Sequence, residues 1–113
     1  MRPYEAMVIF DADLDEETIR ADVARFLETA TTEGGEPGAV DHWGRRRMAY
    51  EMKRRTEAYY VVLQFRSEPK ALDEFNRAVS LSDEVIRHRT VQIPEGQWGK
   101  TRPEAPTAAA AES

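Results

Sequence analysis

The period of the apolar positions changes along the chain, and each change marks an element. Residues 2–10, RPYEAMVIF, end in an unbroken apolar run, Met7-Val8-Ile9-Phe10, which predicts a central strand buried on both faces. Beyond DADLDEE, Leu14, Ile19, Val23, Phe26, Leu27 and Ala30 recur at helical spacing, while Asp22, Arg25 and Glu28 fall on the opposite face. Asp13 stands where the N-cap is expected, with Glu16 at capping-box spacing and further acids suited to the positive end of the helix dipole. Glu33-Gly34-Gly35-Glu36-Pro37-Gly38 supplies turn geometry and ends the helix.

The period then falls to two. Over 39–52 Met48, Tyr50 and Met52 share one face, and Arg47, Ala49 and Glu51 the other. Lys53-Arg54-Arg55-Thr56-Glu57 is polar enough to be a hairpin connection, and YYVVLQF, Tyr59 to Phe65, predicts a second central strand. Pro69 opens a second helix, where its missing N–H costs nothing, and Leu72, Phe75 and Val79 form that helix's apolar stripe. Ser80–Glu84 reads as a turn, and residues 85–93, VIRHRTVQI, as a last strand near an edge. Alternation does not assign that strand's faces, because Val85, Val91 and Ile93 share parity with Arg87 and Arg89. After Ile93 the chain is rich in Pro, Gly and Ala, so the expected division is a domain over 1–93 and a flexible tail over 94–113. Trp98, alone in that polar tail, is either a loose contact onto the domain or a partner anchor.

The order β-α-β-β-α-β predicts an α+β, ferredoxin-like fold: a four-stranded antiparallel sheet with two helices on one face and nothing left to cover the other. Composition agrees with one soluble domain: 113 residues, 41% hydrophobic and 33% charged. The absence of Cys excludes disulfides, a thiol nucleophile and a Cys-based zinc site. His42 and His88 lack metal-ligand spacing, so no metal and no cofactor are expected. No apolar stretch has the length of a signal peptide core or a membrane span, so the expectation is a cytoplasmic protein without a membrane partner. Gly34-Gly35 lies between helix and strand, the wrong order for a phosphate loop, and no nucleophile–base constellation is present.

Charge changes the picture most. The net charge is -5, yet the signs are segregated: residues 1–36 carry ten acids against three bases, residues 37–67 seven bases against three acids. Such segregation suits a protein with one face turned to a polyanion. The densest stretch is HWGRRRMAYEMKRR, residues 42–55. Arg45, Arg46 and Arg47 alternate in a strand; if Met48 and Tyr50 face the helices, Arg45 and Arg47 lie on the open face and Arg46 must snorkel to the rim. A guanidinium fork fits phosphate bidentately and positions a protein without reading bases, although arginines also keep a sheet edge soluble. Lys53, Arg54 and Arg55 are candidates for an arm reaching beyond the sheet, and Arg2, Arg87 and Arg89 for the same basic surface. Tyr60 alternates with Val61, Leu63 and Phe65 and is the aromatic expected on the open face, where it can stack on a base. Tyr4 and Tyr50 are expected in the core, and Trp43 at the sheet edge or against a partner. The aromatic motif of RNA-recognition-motif sheets is absent.

Three segments in order carry a family resemblance: Met1-Arg2-Pro3-Tyr4-Glu5, then Gly44-Arg45-Arg46-Arg47-Met48-Ala49-Tyr50, then Ala58-Tyr59-Tyr60, with VIRHRTV following. Over residues 1–93 the chain resembles the bacterial small-subunit ribosomal protein S six family, departing from it at Ala58, where a glycine is usual. The resemblance implies a non-catalytic, ferredoxin-like component of the ribosome. It also implies binding to the central domain of small-subunit ribosomal RNA as a heterodimer with ribosomal protein S eighteen, with no DNA partner expected. Two other readings belong to the same fold. A small enzyme of acylphosphatase type needs an anion-holding loop after the first strand, where this chain has Asp-Ala-Asp-Leu-Asp. A regulatory domain dimerising through its sheet needs an apolar open face.

Overall fold

The computed structural model describes the backbone of residues 1–52 and 55–100, and the side chains of residues 1–47 and 56–100. Strand β1, Arg2–Asp11, is apolar on both sides because it is central: it pairs antiparallel with β3, Arg55–Ser67, on one side and with β4, Val85–Gln92, on the other. Strand β2, Glu36–Met52, adds to the far side of β3, giving the order β2-β3-β1-β4. The crossovers are helices α1, Glu16–Thr31, and α2, Pro69–Ser80, and the fold is the expected ferredoxin-like one. The lower apolar content of β4 fits its edge position.

Both helices cover the face formed by Tyr4, Ala6, Val8 and Phe10 of β1 and Tyr59, Val61, Leu63 and Phe65 of β3. Ile19, Val23, Phe26 and Ala30 of α1 and Phe75 and Val79 of α2 complete this core, and all of these side chains are buried. Pro69 occupies the first turn of α2, as its fixed φ favours.

Some local expectations shift. The α1 cap is Asp15, not Asp13: the Asp15 carboxylate accepts from the Thr18 amide at 2.9 Å, and the Thr18 hydroxyl, then this amide, lower its pKa. Asp13 is engaged upstream, its amide donating to Asp11 Oδ1 at 2.9 Å while the Leu14 amide donates to the Asp11 carbonyl at 3.2 Å. That turn uses up residues 11–14 and moves the helix start by two residues. Strand β2 begins at Glu36, inside the predicted breaker, and Arg55 already pairs with Met52, so Arg55–Glu57 belong to β3 rather than to the hairpin connection. Lys53 and Arg54 lie outside the described residues, as does residue range 101–113 and the core position expected for the Tyr50 side chain.

The largest departure concerns the second sheet face. Residues 94–100 do not leave the domain. The Ile93 amide donates to the Pro3 carbonyl at 3.0 Å, a 3-10 turn follows over Glu95–Gln97, and the segment lies across the lower half of the face that the helices leave open. We call residues 94–100 the strap.

Between α1 and the α2–β4 turn, Glu84 meets the buried Asp22. A hydrogen bond between the two carboxyls, then burial and the Asp22 charge, with Arg25 opposing and Asp15 adding, raise the Glu84 pKa above its ordinary 4.5. A carboxyl raised on folding stabilises the fold while protonated, and that contribution is lost as pH climbs from the unfolded value through the raised folded one. Glu84→Gln is therefore expected to raise stability at pH 7 and to flatten the stability curve above pH 4.5. Melting curves of both proteins from acid to neutral pH check this; parallel curves contradict it.

Candidate nucleic-acid interface

The open face starts from an irregularity in β2. His42 pairs with Val61 and Gly44 with Tyr60, leaving Trp43 as an extra residue in a bulge, and Gly44 has φ +86, which favours glycine. The bulge turns Trp43 onto the open face, where its ring stacks on Tyr60 at 6.4 Å and 20°. Ile9, Ala58 and Val62 complete this second cluster, with Met7 and Ile86 against it. His42 points the other way and meets the Tyr59 hydroxyl at 3.2 Å. Burial, then the Arg20 charge, lowers the His42 pKa, so the ring is neutral at pH 7.

Tyr60 thus faces the predicted side, but it is only 1% exposed and Trp43 only 7%. The two rings are packed on each other rather than offered to a base.

The arginines of β2 alternate opposite to expectation. Arg45 pairs with Tyr59, which faces the helices, and Arg46 with Ala58, which belongs to the open-face cluster. Arg46 is therefore the open-face residue, while Arg45 and Arg47 are on the helix side. Alternation counted from Met48 and Tyr50 gives the opposite parity; the register is set by the Trp43 bulge and by the pairing with Tyr59 and Tyr60. Arg45 holds the β1–α1 turn, donating from Nε to the Ala12 carbonyl at 2.8 Å and from Nη2 to the Leu14 carbonyl at 3.2 Å. Arg45→Ala is expected to cost about 1–2 kcal/mol of stability, through two charge-assisted hydrogen bonds at an exposed site. Urea unfolding measures it, and an unchanged midpoint would refute the latch.

On β4, Arg87 pairs with Ile9 and Arg89 with Met7, so both are on the open face, and Val85, opposite Phe10, is on the helix side. A register shift between Ile9 and Phe10 separates them, which is why alternation could not assign this strand. Arg46 and Arg87 flank the Trp43–Tyr60 cluster from the two outer strands, three strand spacings apart and two residues out of line, which is about 16 Å at ordinary strand geometry. Arg2 does not join them. It pairs with Ser67, on the helix side and at the other end of β1, about 30 Å from the Asp11 end.

The lower half of the open face was not legible as a site. There Gln64, fully buried, donates from Nε2 to Glu5 Oε1 at 3.1 Å and to the carbonyls of Lys100 at 2.9 Å and Gln97 at 3.3 Å. Its Oε1 accepts from the Gly99 amide at 2.8 Å. Arg66 donates to Glu36 at 2.9 Å and to Glu95 at 2.7 Å, and its guanidinium lies 4.2 Å from the Trp98 ring centre. The signals were present but weak: Gln64 is the one polar side chain within YYVVLQF, and Trp98 the one large apolar residue past Ile93. Among the described residues no cluster of His, Asp and Glu can hold a metal ion, and no helix is long and apolar enough to cross a membrane.

The family model described as Ribosomal protein S6 matches residues 3–92. The small ribosomal subunit protein bS6 of Paenarthrobacter aurescens is 41% identical over 97 residues, spanning 86% of this chain and 95% of that protein. That of Mycolicibacterium paratuberculosis is 42% identical over 92 residues, spanning 81% and 96%. The crystal structure of 30S ribosomal protein S6 from Thermotoga maritima superposes with a TM-score of 0.76 at 30% identity, covering 81% of this chain and 87% of that one. Element order, sheet order and sequence therefore converge, and the chain belongs to the ribosomal protein S6 family.

Proposed function

We propose that the protein is a structural constituent of the small ribosomal subunit in the cytoplasm and binds small-subunit ribosomal RNA there, in its central domain, as a heterodimer with ribosomal protein S eighteen. The observation that carries the RNA reading is the placement of Arg46, Arg87 and Arg89 on one sheet face, in a chain whose net charge is -5. Guanidinium groups around a packed aromatic pair suit phosphate contacts and shape recognition better than stacking on bases. The family is not enzymatic, which removes the acylphosphatase reading. Arg47, Lys53, Arg54 and Arg55 extend the same proposal to the β2–β3 hairpin, and Trp43 and Tyr60 support the surface from beneath.

A protein this acidic, with one small basic face, is expected to bind RNA weakly alone and tightly as a pair. The test is titration of a central-domain RNA fragment with and without ribosomal protein S eighteen across a salt series. Tight, salt-sensitive binding of the pair supports the reading; no binding by the pair at low salt overturns it.

A further inference from the structure

Resting on the RNA reading above, we propose that Arg66, Gln64 and Gly38 form a subsite for one unpaired nucleotide of RNA, which Glu95 and Trp98 of the strap occupy in the free protein. Arg66 presents its two recognition elements at once: the plane of the guanidinium to an indole at 4.2 Å, and its edge to the Glu95 carboxylate at 2.7 Å. A flat aromatic and an anion on one guanidinium is the combination a nucleotide offers, through its base and its phosphate.

The rest of the slot is shaped for the same guest. Gly38 leaves bare backbone under the ring: a Cβ there would lie 2.7 Å from Trp98 Cη2 and 2.9 Å from Cζ3. Beside it Gln64 offers an amide with a donor and an acceptor, oriented by the buried Glu5 through the 3.1 Å bond. In the free protein that amide donates to two strap carbonyls and accepts from one strap N–H. A base edge displays the same acceptor and donor types, so the exchange leaves no buried polar group unpaired.

The strap is suited to leave. Its ion pair is made by a Glu95 side chain that is 65% exposed, and Trp98 is only half-buried. An exposed ion pair and a cation–π contact are each weak. Glu36 remains as the second partner of Arg66 when Glu95 departs. Gln64 and Arg66 alternate onto the same sheet face as Arg46, Arg87 and Arg89, so a strand bound there can continue toward them.

The experiment uses the full chain and a ten-nucleotide oligouridylate, whose bases are largely unstacked. Trp98→Ala is expected to tighten its binding about three- to tenfold by vacating the slot. Glu95→Gln, a milder change, moves affinity the same way by less. Adding Arg66→Ala to Trp98→Ala removes the gain and falls below wild type. In the wild type, saturating oligouridylate releases the Gly99 amide from Gln64, read as lost exchange protection. Unchanged or weaker binding by Trp98→Ala, or Gly99 protection unaffected by bound RNA, overturns the proposal. If the pair with ribosomal protein S eighteen binds the central-domain fragment while neither wild type nor Trp98→Ala binds oligouridylate, the nucleotide subsite falls and the ribosomal reading stands. If ribosomal protein S eighteen alone releases Gly99, the slot belongs to a protein partner and the nucleotide assignment is again overturned.

Discussion

Phe75→Ala is expected to bring the domain close to unfolding. Phe75 is fully buried, with its ring 4.7 Å from that of Phe65 in the sheet and 6.5 Å from that of Phe26 in α1. One side chain thus ties α2 to both other parts of the helix-side core. Among the other α2 side chains only Val79 is as deeply buried, with Leu72 and Ala78 partly buried against the same core, so Phe75 is the largest single anchor of α2. Truncating a buried Phe to Ala costs about 3–5 kcal/mol, from lost transfer energy and from the cavity left behind. A domain of this size has a total of roughly 5–15 kcal/mol. The urea midpoint should fall accordingly, and much of the far-UV helix signal should be lost at temperatures where wild type is intact. Leu81→Ala is the control: Leu81 is 71% exposed and should move the midpoint by less than about 0.5 kcal/mol. A Phe75→Ala loss below about 1 kcal/mol would mean that α2 closes over the gap and is not anchored as described.

How far the sequence could be read follows from the range of the interactions involved. Phe75 was legible because helical spacing with Leu72 and Val79 reports a buried face directly, and β1 and YYVVLQF were legible because strands buried on both sides are apolar throughout. The errors came where a local competition or a long-range contact decided the outcome. Asp11 took the amide of Asp13 into a turn, so a neighbouring acid became the cap. One extra residue at Trp43 reset the β2 register, and a single bulge exchanges the faces of every residue beyond it. The sequence shows Arg45, Arg46 and Arg47 as a cluster, but simple alternation puts each on the face opposite to its true one. The strap was invisible for another reason. A Pro- and Gly-rich segment carries no periodicity, and its contacts with Gln64, Arg66 and Gly38 span some thirty to sixty residues of sequence. Burial of Glu5 and Gln64 beneath it reverses what their polarity suggests.

The corrected register changes which arginines should matter for RNA. Arg46→Ala/Arg87→Ala/Arg89→Ala removes three cations from the open face, and the paired protein is expected to bind central-domain RNA on the order of 30- to 100-fold more weakly near 0.15 M salt. Each lost phosphate contact makes the log–log salt slope shallower by about 0.7–0.9, so the triple variant should lose up to about 2.5 units of slope. Arg46 and Arg87 flank the buried Trp43–Tyr60 cluster, so the urea midpoint of the triple variant is measured beside the titration to tell a loss of contact from a loss of folding. Arg45→Ala should behave in the opposite way, losing stability through the Ala12 and Leu14 carbonyls while keeping the wild-type slope. The contrast separates a contact surface from a structural latch within one tripeptide. If Arg45→Ala flattens the slope and the triple variant leaves it intact, RNA meets the helix-side edge of β2, and the open-face assignment is wrong. If the triple variant keeps both slope and affinity for RNA but no longer pairs with ribosomal protein S eighteen, the open face is a protein interface, and the phosphate contacts lie elsewhere on the chain.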